Sequence, residues 1–179
     1  MPNIYNFFQF IHNKTGNWPG EDEGFAAKCK YAPELVTDVD LENMPIEFKI
    51  AFFPDKLTEE ELYIDGNLQF GEYTWNDVKT LPKNLRIKNS LNMEYTKIKV
   101  LPDGLRVGWH VRANNSLLDE IGENVHIGGD LNVANTPLSS MQLNSGFGYS
   151  ISNEIDKTGG FLGGDVNTID DTDYTDDYD

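Results

Sequence analysis

The sequence predicts a mainly β protein: a parallel β-solenoid of about four to five turns, closed at its ends by α+β caps. Three observations carry that prediction. First, the series Leu81, Leu85, Ile87, Leu91, Met93, Thr96 and Ile98 recurs twenty residues on as Leu101, Leu105, Val107, Val111, Ala113, Ser116 and Leu118. It recurs again as Ile121, Val125, Ile127, Leu131, Val133, Thr136 and Leu138. Second, the apolar pairs inside each unit are spaced by two residues, the period of a strand and not of a helix. Third, the segments between those pairs are turn-forming: Lys88-Asn89-Ser90, Gly108-Trp109-His110 and Gly128-Gly129-Asp130. The glycines there suit positive φ. A single turn of this kind cannot bury its own apolar edge, so the turns must stack.

Taken along the chain, residues 1–56 read as an N-terminal α+β cap, 57–143 as the repeats, 144–166 as a C-terminal helix-strand cap and 167–179 as an acidic tail. In the first cap, Ile4–Ile11 is dense in apolar residues, Asn17–Asp22 is a loop by composition, Phe25–Tyr31 suits a helical turn ended before Pro33, and Ile46–Phe52 alternates like a strand. An earlier repeat unit is visible at Leu62, Ile64, Leu68 and Phe70, three residues longer than the others, with the excess expected in Tyr73–Asp77. Each regular unit gives two short strands around a corner, with Thr96, Ser116 and Thr136 stacked as a row of hydroxyls that bond backbone at the bend. Met141-Gln142-Leu143 opens a fifth unit. Ser150–Thr158 then suits a helix stopped by Gly159-Gly160, and Phe161–Val166 a last strand.

Here the residues carry a resemblance. Leu-Pro-Asp-Gly-Leu-Arg-Val-Gly (101–108), Gly-Gly-Asp-Leu-Asn-Val-Ala-Asn-Thr-Pro-Leu (128–138) and Asn-Glu-Ile-Asp-Lys-Thr-Gly-Gly-Phe-Leu-Gly-Gly-Asp (153–165) resemble the leucine-rich-repeat-like proteins of tailed bacteriophages, over roughly residues 57–166. The resemblance implies a leucine-rich-repeat-like solenoid, phage origin, and work in the cytoplasm of an infected bacterium or in the virion. It implies no activity, because that family has none in common. The chain departs from the family phrasing at Trp109-His110-Val111-Arg112, which sets an aromatic and two basic residues where the family has Gly-Ser-Leu-Asp.

Charge narrows the function. Asp and Glu number 30 against 14 Lys and Arg, a net charge of −16. Direct nucleic-acid binding is disfavoured, and a basic protein partner is favoured. Seven of the acids lie in residues 165–179, which hold no Lys or Arg, so the rest of the chain carries −9. Within that tail, Asp170, Asp171, Asp173, Tyr174, Asp176, Asp177 and Tyr178 admit two readings. One is solvating charge; the other is an interaction arm whose carboxylates mimic phosphates. On the repeats, Tyr63, Arg86, Arg106 and His126 occupy one outward column, with Trp109, His110 and Arg112 beside it. They read either as partners of neighbouring acids or as a docking stripe.

The remaining features exclude rather than assign. No apolar run is long enough to span a membrane, and the N-terminus lacks the pattern of a signal peptide. Cys29, the single cysteine, can form no internal disulfide and reads as a small buried hydrophobe. No phosphate-binding loop, nucleophile elbow or His-x-x-x-His zinc spacing is present. No enzyme, cofactor or metal is expected. The expectation is a phage-encoded acidic protein-binding module that inhibits or redirects a basic bacterial host protein, a defence or nucleic-acid-processing factor, by nucleic-acid mimicry in one version. The alternative is a virion structural or assembly component, and an open solenoid edge allows a homodimer.

Overall fold

The computed structural model describes residues 21–71, 74, 76–144 and 150–168. The expected Ile4–Ile11 element, most of the Asn17–Asp22 loop, Tyr73 and the acidic tail from Asp170 to Tyr178 lie outside them.

Among the described residues the chain forms a parallel β-solenoid whose three full turns follow the 20-residue repeat. Its strands are two residues each and build three walls. The first wall holds β1 (Tyr63–Ile64), β3 (Arg86–Ile87), β6 (Arg106–Val107), β9 (His126–Ile127) and β11 (Phe161–Leu162), in that order. The second wall holds β2 (Leu68–Gln69), β4 (Leu91–Asn92), β7 (Val111–Arg112), β10 (Leu131–Asn132) and β12 (Val166–Asn167). The third holds β5 (Val100–Leu101) and β8 (Glu120–Ile121). Register follows the repeat without slip: Arg106 faces Arg86 on one side and His126 on the other, and Val111 faces Leu91 and Leu131. Each strand of the regular turns sets one residue in and one out, and the columns Leu91–Val111–Leu131 and, just before the first-wall strands, Leu85–Leu105–Val125 are fully buried. Burial of these columns is the main stabilising term, because no single turn can exclude water alone.

The hydroxyl row is buried and bonded. Thr96 Oγ1 donates to the Met93 carbonyl at 2.7 Å, Ser116 Oγ to Ala113 at 2.6 Å and Thr136 Oγ1 to Val133 at 2.6 Å. Each bond closes the bend within its own turn.

Five expectations are corrected. The loops closing the first two regular units carry a third strand, β5 and β8, which the alternation did not reveal. The glycines at the corner are not there for positive φ. Positive φ falls instead on Asn84, Gly104, Asn124 and Gly159 in one column and on Tyr95, Asn115 and Asn135 in another. Gly108 and Gly128 are needed for close stacking: a Cβ on Gly108 would collide with the Lys88 carbonyl oxygen, and one on Gly128 with that of Gly108. Met141 opens no fifth unit, since Pro137–Asn144 is a helix. Pro at the first helical turn favours it. So do reciprocal bonds between Thr136 and Ser139, with Thr136 Oγ1 accepting from Ser139 N at 3.1 Å and Ser139 Oγ accepting from Thr136 N at 3.3 Å. After the helix Ile151–Lys157, capped by Ser150, the single strand expected at Phe161–Val166 is two. These are β11 and β12, which extend the first and second walls by one more rung.

The last correction concerns the N-terminal cap, which is helical throughout its described part. Helices Glu21–Tyr31, Asp38–Glu42 and Ile46–Phe52 replace the expected α+β arrangement. Ile46–Phe52 alternates because it is a helix with two buried faces. Ile46 and Ile50, four apart, pack into the solenoid core, whereas Phe48 and Phe52, four apart on the other side, pack with Ala26, Cys29 and Met44. Two apolar rows offset by two residues look like a strand in sequence. The cap is tied down by ion pairs of Lys28 with Asp40 at 2.8 Å, Lys30 with Asp77 at 2.7 Å, and the buried Lys49 with Glu61. Cys29 is buried, and burial pushes its thiol up to about 11, which keeps it protonated and unreactive.

Candidate functional site

The first wall lines up the outward residues Tyr63, Arg86, Arg106, His126 and Phe161 as direct neighbours across its five strands. Parallel strands hold such neighbours ~4.8 Å apart. Arg86 and Arg106 are therefore adjacent like charges, an arrangement that costs stability unless an acid relieves it. Among the described residues no acid pairs with either. Two acids of the same turns are engaged elsewhere: Asp65 holds Lys88 at 2.6 Å and Asp103 holds Lys83 at 2.7 Å. Those hydrogen bonds raise both lysines above the ordinary range, and Lys83 lowers Asp103. Aromatics bracket the arginines, with Tyr63 55% and Phe161 53% exposed. Trp109, 60% exposed, stands on the corner between the first and second walls. Tyr, Trp and Arg are the side chains that most often carry binding energy at protein interfaces.

The other candidate residues divide. His126 belongs to the ladder, and its Nδ1 lies 2.9 Å from the Asn124 carbonyl oxygen, which can only accept, so the proton sits on Nδ1. Arg112 is on the second wall between Asn92 and Asn132, away from the ladder. His110 has a structural partner. Its Nδ1 accepts from the Asp130 N–H at 2.9 Å, so that nitrogen carries no proton and the nearby Asp130 carboxylate forms no ion pair through it.

That bond is one of a column the sequence reading missed. Asn67 Oδ1 accepts from Ser90 N at 3.0 Å, Ser90 Oγ from His110 N at 3.4 Å, His110 Nδ1 from Asp130 N, and Asp130 Oδ1 from Asp165 N at 2.9 Å. Each side chain satisfies the backbone of the turn above it. The signal was present as a position always filled by an acceptor: Asn, Ser, His, Asp, Asp. Phe161 was missed for a related reason. Gly163-Gly164-Asp165 repeats the corner Gly128-Gly129-Asp130, which fixes Phe161 in the ladder column, but the inserted helices stretch that spacing to 35 residues.

Among the described residues no three His, Cys, Asp or Glu side chains gather as a metal site, and no helix is long and apolar enough to cross a membrane. Comparison with protein-family models, with curated proteins and with solved structures finds no match to this chain.

Proposed function

We propose that the chain is a protein-binding module whose contact face is the first wall. The observation that carries this reading is the Arg86–Arg106 pair, left without an acid among the described residues and bracketed by exposed Tyr63 and Phe161. A folded protein gains nothing from such an arrangement, whereas a partner that covers it does. The net charge of −16 steers the module toward a partner that is basic overall, with an acidic patch that meets the ladder. The phrasing of 101–108 and 128–138 supports a leucine-rich-repeat-like solenoid of four to five turns, counting the partial rungs at its ends, and supports phage origin. In that setting the module inhibits or redirects a host protein in the infected cytoplasm, a defence or nucleic-acid-processing factor. The Asp170–Asp177 tail adds nucleic-acid mimicry.

The test is capture of partners from bacterial lysate on the tagged full chain, at low and moderate salt, with Arg86→Glu/Arg106→Glu alongside. One stoichiometric, salt-sensitive partner that the variant loses is the expected result. Equal recovery by the folded variant would remove the ladder from the interface. A second reading, a virion or assembly component, rests on β11 and β12, which are paired on one side only among the described residues and offer open edges to a copy of the chain. Recovery of phage structural proteins alone, or self-association, would favour it.

A further inference from the structure

The third wall is incomplete on one side, and its missing strand leaves a groove. β5 pairs with β8 on one side, where Glu120 N donates to Lys99 O at 3.1 Å and Gly122 N to Leu101 O at 2.8 Å. On the other side the equivalent residues of the preceding turn, Thr80 and Leu81, form no strand and no hydrogen bond with β5 among the described residues. That preceding turn is the one lengthened by three residues, and Thr74 N donates to the Gly71 carbonyl at 3.0 Å ahead of it. A groove of about 720 Å³ lies here, lined by Thr80 and Leu81 on one side and Val100 on the other.

The groove is rich in lysine, and its one lining acid, Asp103, is paired with Lys83 at 2.7 Å among the described residues. Leu81 lies buried at its floor, and Val100 and Leu117, 37% and 45% exposed, show aliphatic surface. Lys79, Lys97 and Lys99 line it, all exposed and none with an ion-pair partner among the described residues. Along a strand the peptide groups of successive residues point to alternate sides. Lys99 and Leu101 face β8, so the N–H and C=O of Val100 face the groove, and neither has a partner among the described residues. Unused strand groups beside aliphatic surface and three free ammonium groups make the elements of strand addition.

We infer that this groove is a second docking site, separate from the arginine ladder, that takes an extended acidic segment of a partner protein. The segment adds as a strand against Val100, sets aliphatic side chains on Val100 and Leu117, and places carboxylates against Lys79, Lys97 and Lys99. A single nucleic-acid strand shares the charge but lacks the main-chain donors that pair with Val100, and among the described residues no aromatic side chain lines the groove for bases to stack on.

The test is fluorescence anisotropy of a labelled peptide of alternating Glu and Val, titrated with the full chain. Expected is saturable binding that weakens at least ~10-fold between about 50 and about 300 mM salt. Lys97→Glu/Lys99→Glu, with unchanged melting, weakens it ~10-fold or more, and Arg86→Glu/Arg106→Glu leaves it intact. The same titration on a full chain carrying D170N, D171N, D173N, D176N and D177N removes competition by the chain's own acids. Absence of binding to both chains overturns the inference. So does equal affinity for a polyglutamate peptide or an oligothymidylate of the same length, which would make the groove a general anion patch. Binding that Lys97→Glu/Lys99→Glu leaves untouched places the peptide elsewhere and also overturns it.

Discussion

The turns from Leu81 to Leu138 and the cap from Glu21 to Phe52 bury apolar side chains by opposite rules. In the stack each side chain has a column: Leu85 lies against Leu105, and Leu105 against Val125, so one residue choice repeats at every rung. In the cap no position repeats, and one short helix serves two cores from opposite faces. Backbone spacing governs the stack, whereas side-chain fit governs the cap. The difference predicts which substitutions each will tolerate.

The largest effect is expected where backbone meets backbone. Gly128→Val puts a Cβ into the Gly108 carbonyl, an atom fixed by the stack itself. A loss of about 4 kcal/mol or outright failure to fold is expected, by urea denaturation. Gly66 is the control within the first turn, because a Cβ there meets nothing within 4 Å; Gly66→Ala should change stability by less than ~1 kcal/mol. Equal losses at both sites would mean that close stacking is not what selects glycine at the corner.

Next comes the side-chain rule of the cap. Phe48→Ala removes the ring that faces Ala26, Cys29 and Met44, for about 3 kcal/mol. Leu105→Ala, at the centre of the stack, should cost a similar amount. The two should differ in what they loosen. Hydrogen exchange should rise in residues 21–56 alone for Phe48→Ala and throughout the solenoid for Leu105→Ala. Uniform exchange in both variants would show that cap and stack unfold as one body.

This contrast also explains what the sequence made legible. The solenoid could be read because stacking forces a translation by 20 residues, and translation is visible in one dimension. Ile46–Phe52 was misread because two i, i+4 rows on opposite faces of a helix interleave into an alternation. A third wall was missed because Val100–Leu101 and Glu120–Ile121 contribute only one buried column, with no second apolar residue to set a period. In the candidate site the column of Tyr63, Arg86, Arg106 and His126 followed directly from the repeat. The separation of Arg112 and the structural duty of His110 did not, because both depend on where the corner bends.

His110 offers a smaller test of the same column logic. His110→Ala leaves the Asp130 N–H to water and should cost about 1 kcal/mol, whereas His110→Asn, which returns an acceptor as Asn67 does two positions earlier in the column, should restore part of it. Identical losses in the two variants would argue that the imidazole contributes by packing and not as an acceptor.

The smallest effect separates the cap from the stack by pH. Asp40 accepts from Lys28 Nζ at 2.8 Å and from Thr37 N at 2.8 Å, and these bonds, Lys28 first, hold its carboxyl at about 2 against an ordinary 3.8. A depressed carboxyl favours the folded state above its unfolded value and loses that advantage as pH falls through the folded one. The contribution is therefore complete above about pH 4 and gone below about pH 2. Asp40 is partly exposed, so solvent limits the effect to about 1 kcal/mol. Other carboxylates titrate in the same window, and the useful quantity is the stability gap between the wild type and Asp40→Asn. That gap should narrow by about 1 kcal/mol between pH 5 and pH 2, read from urea midpoints. It should narrow in step with exchange in residues 37–42, because Thr37 and Asp40 cap the helix Asp38–Glu42 reciprocally. A gap that stays constant across the range would mean that Lys28 and Asp40 meet too loosely in solution to hold the cap together.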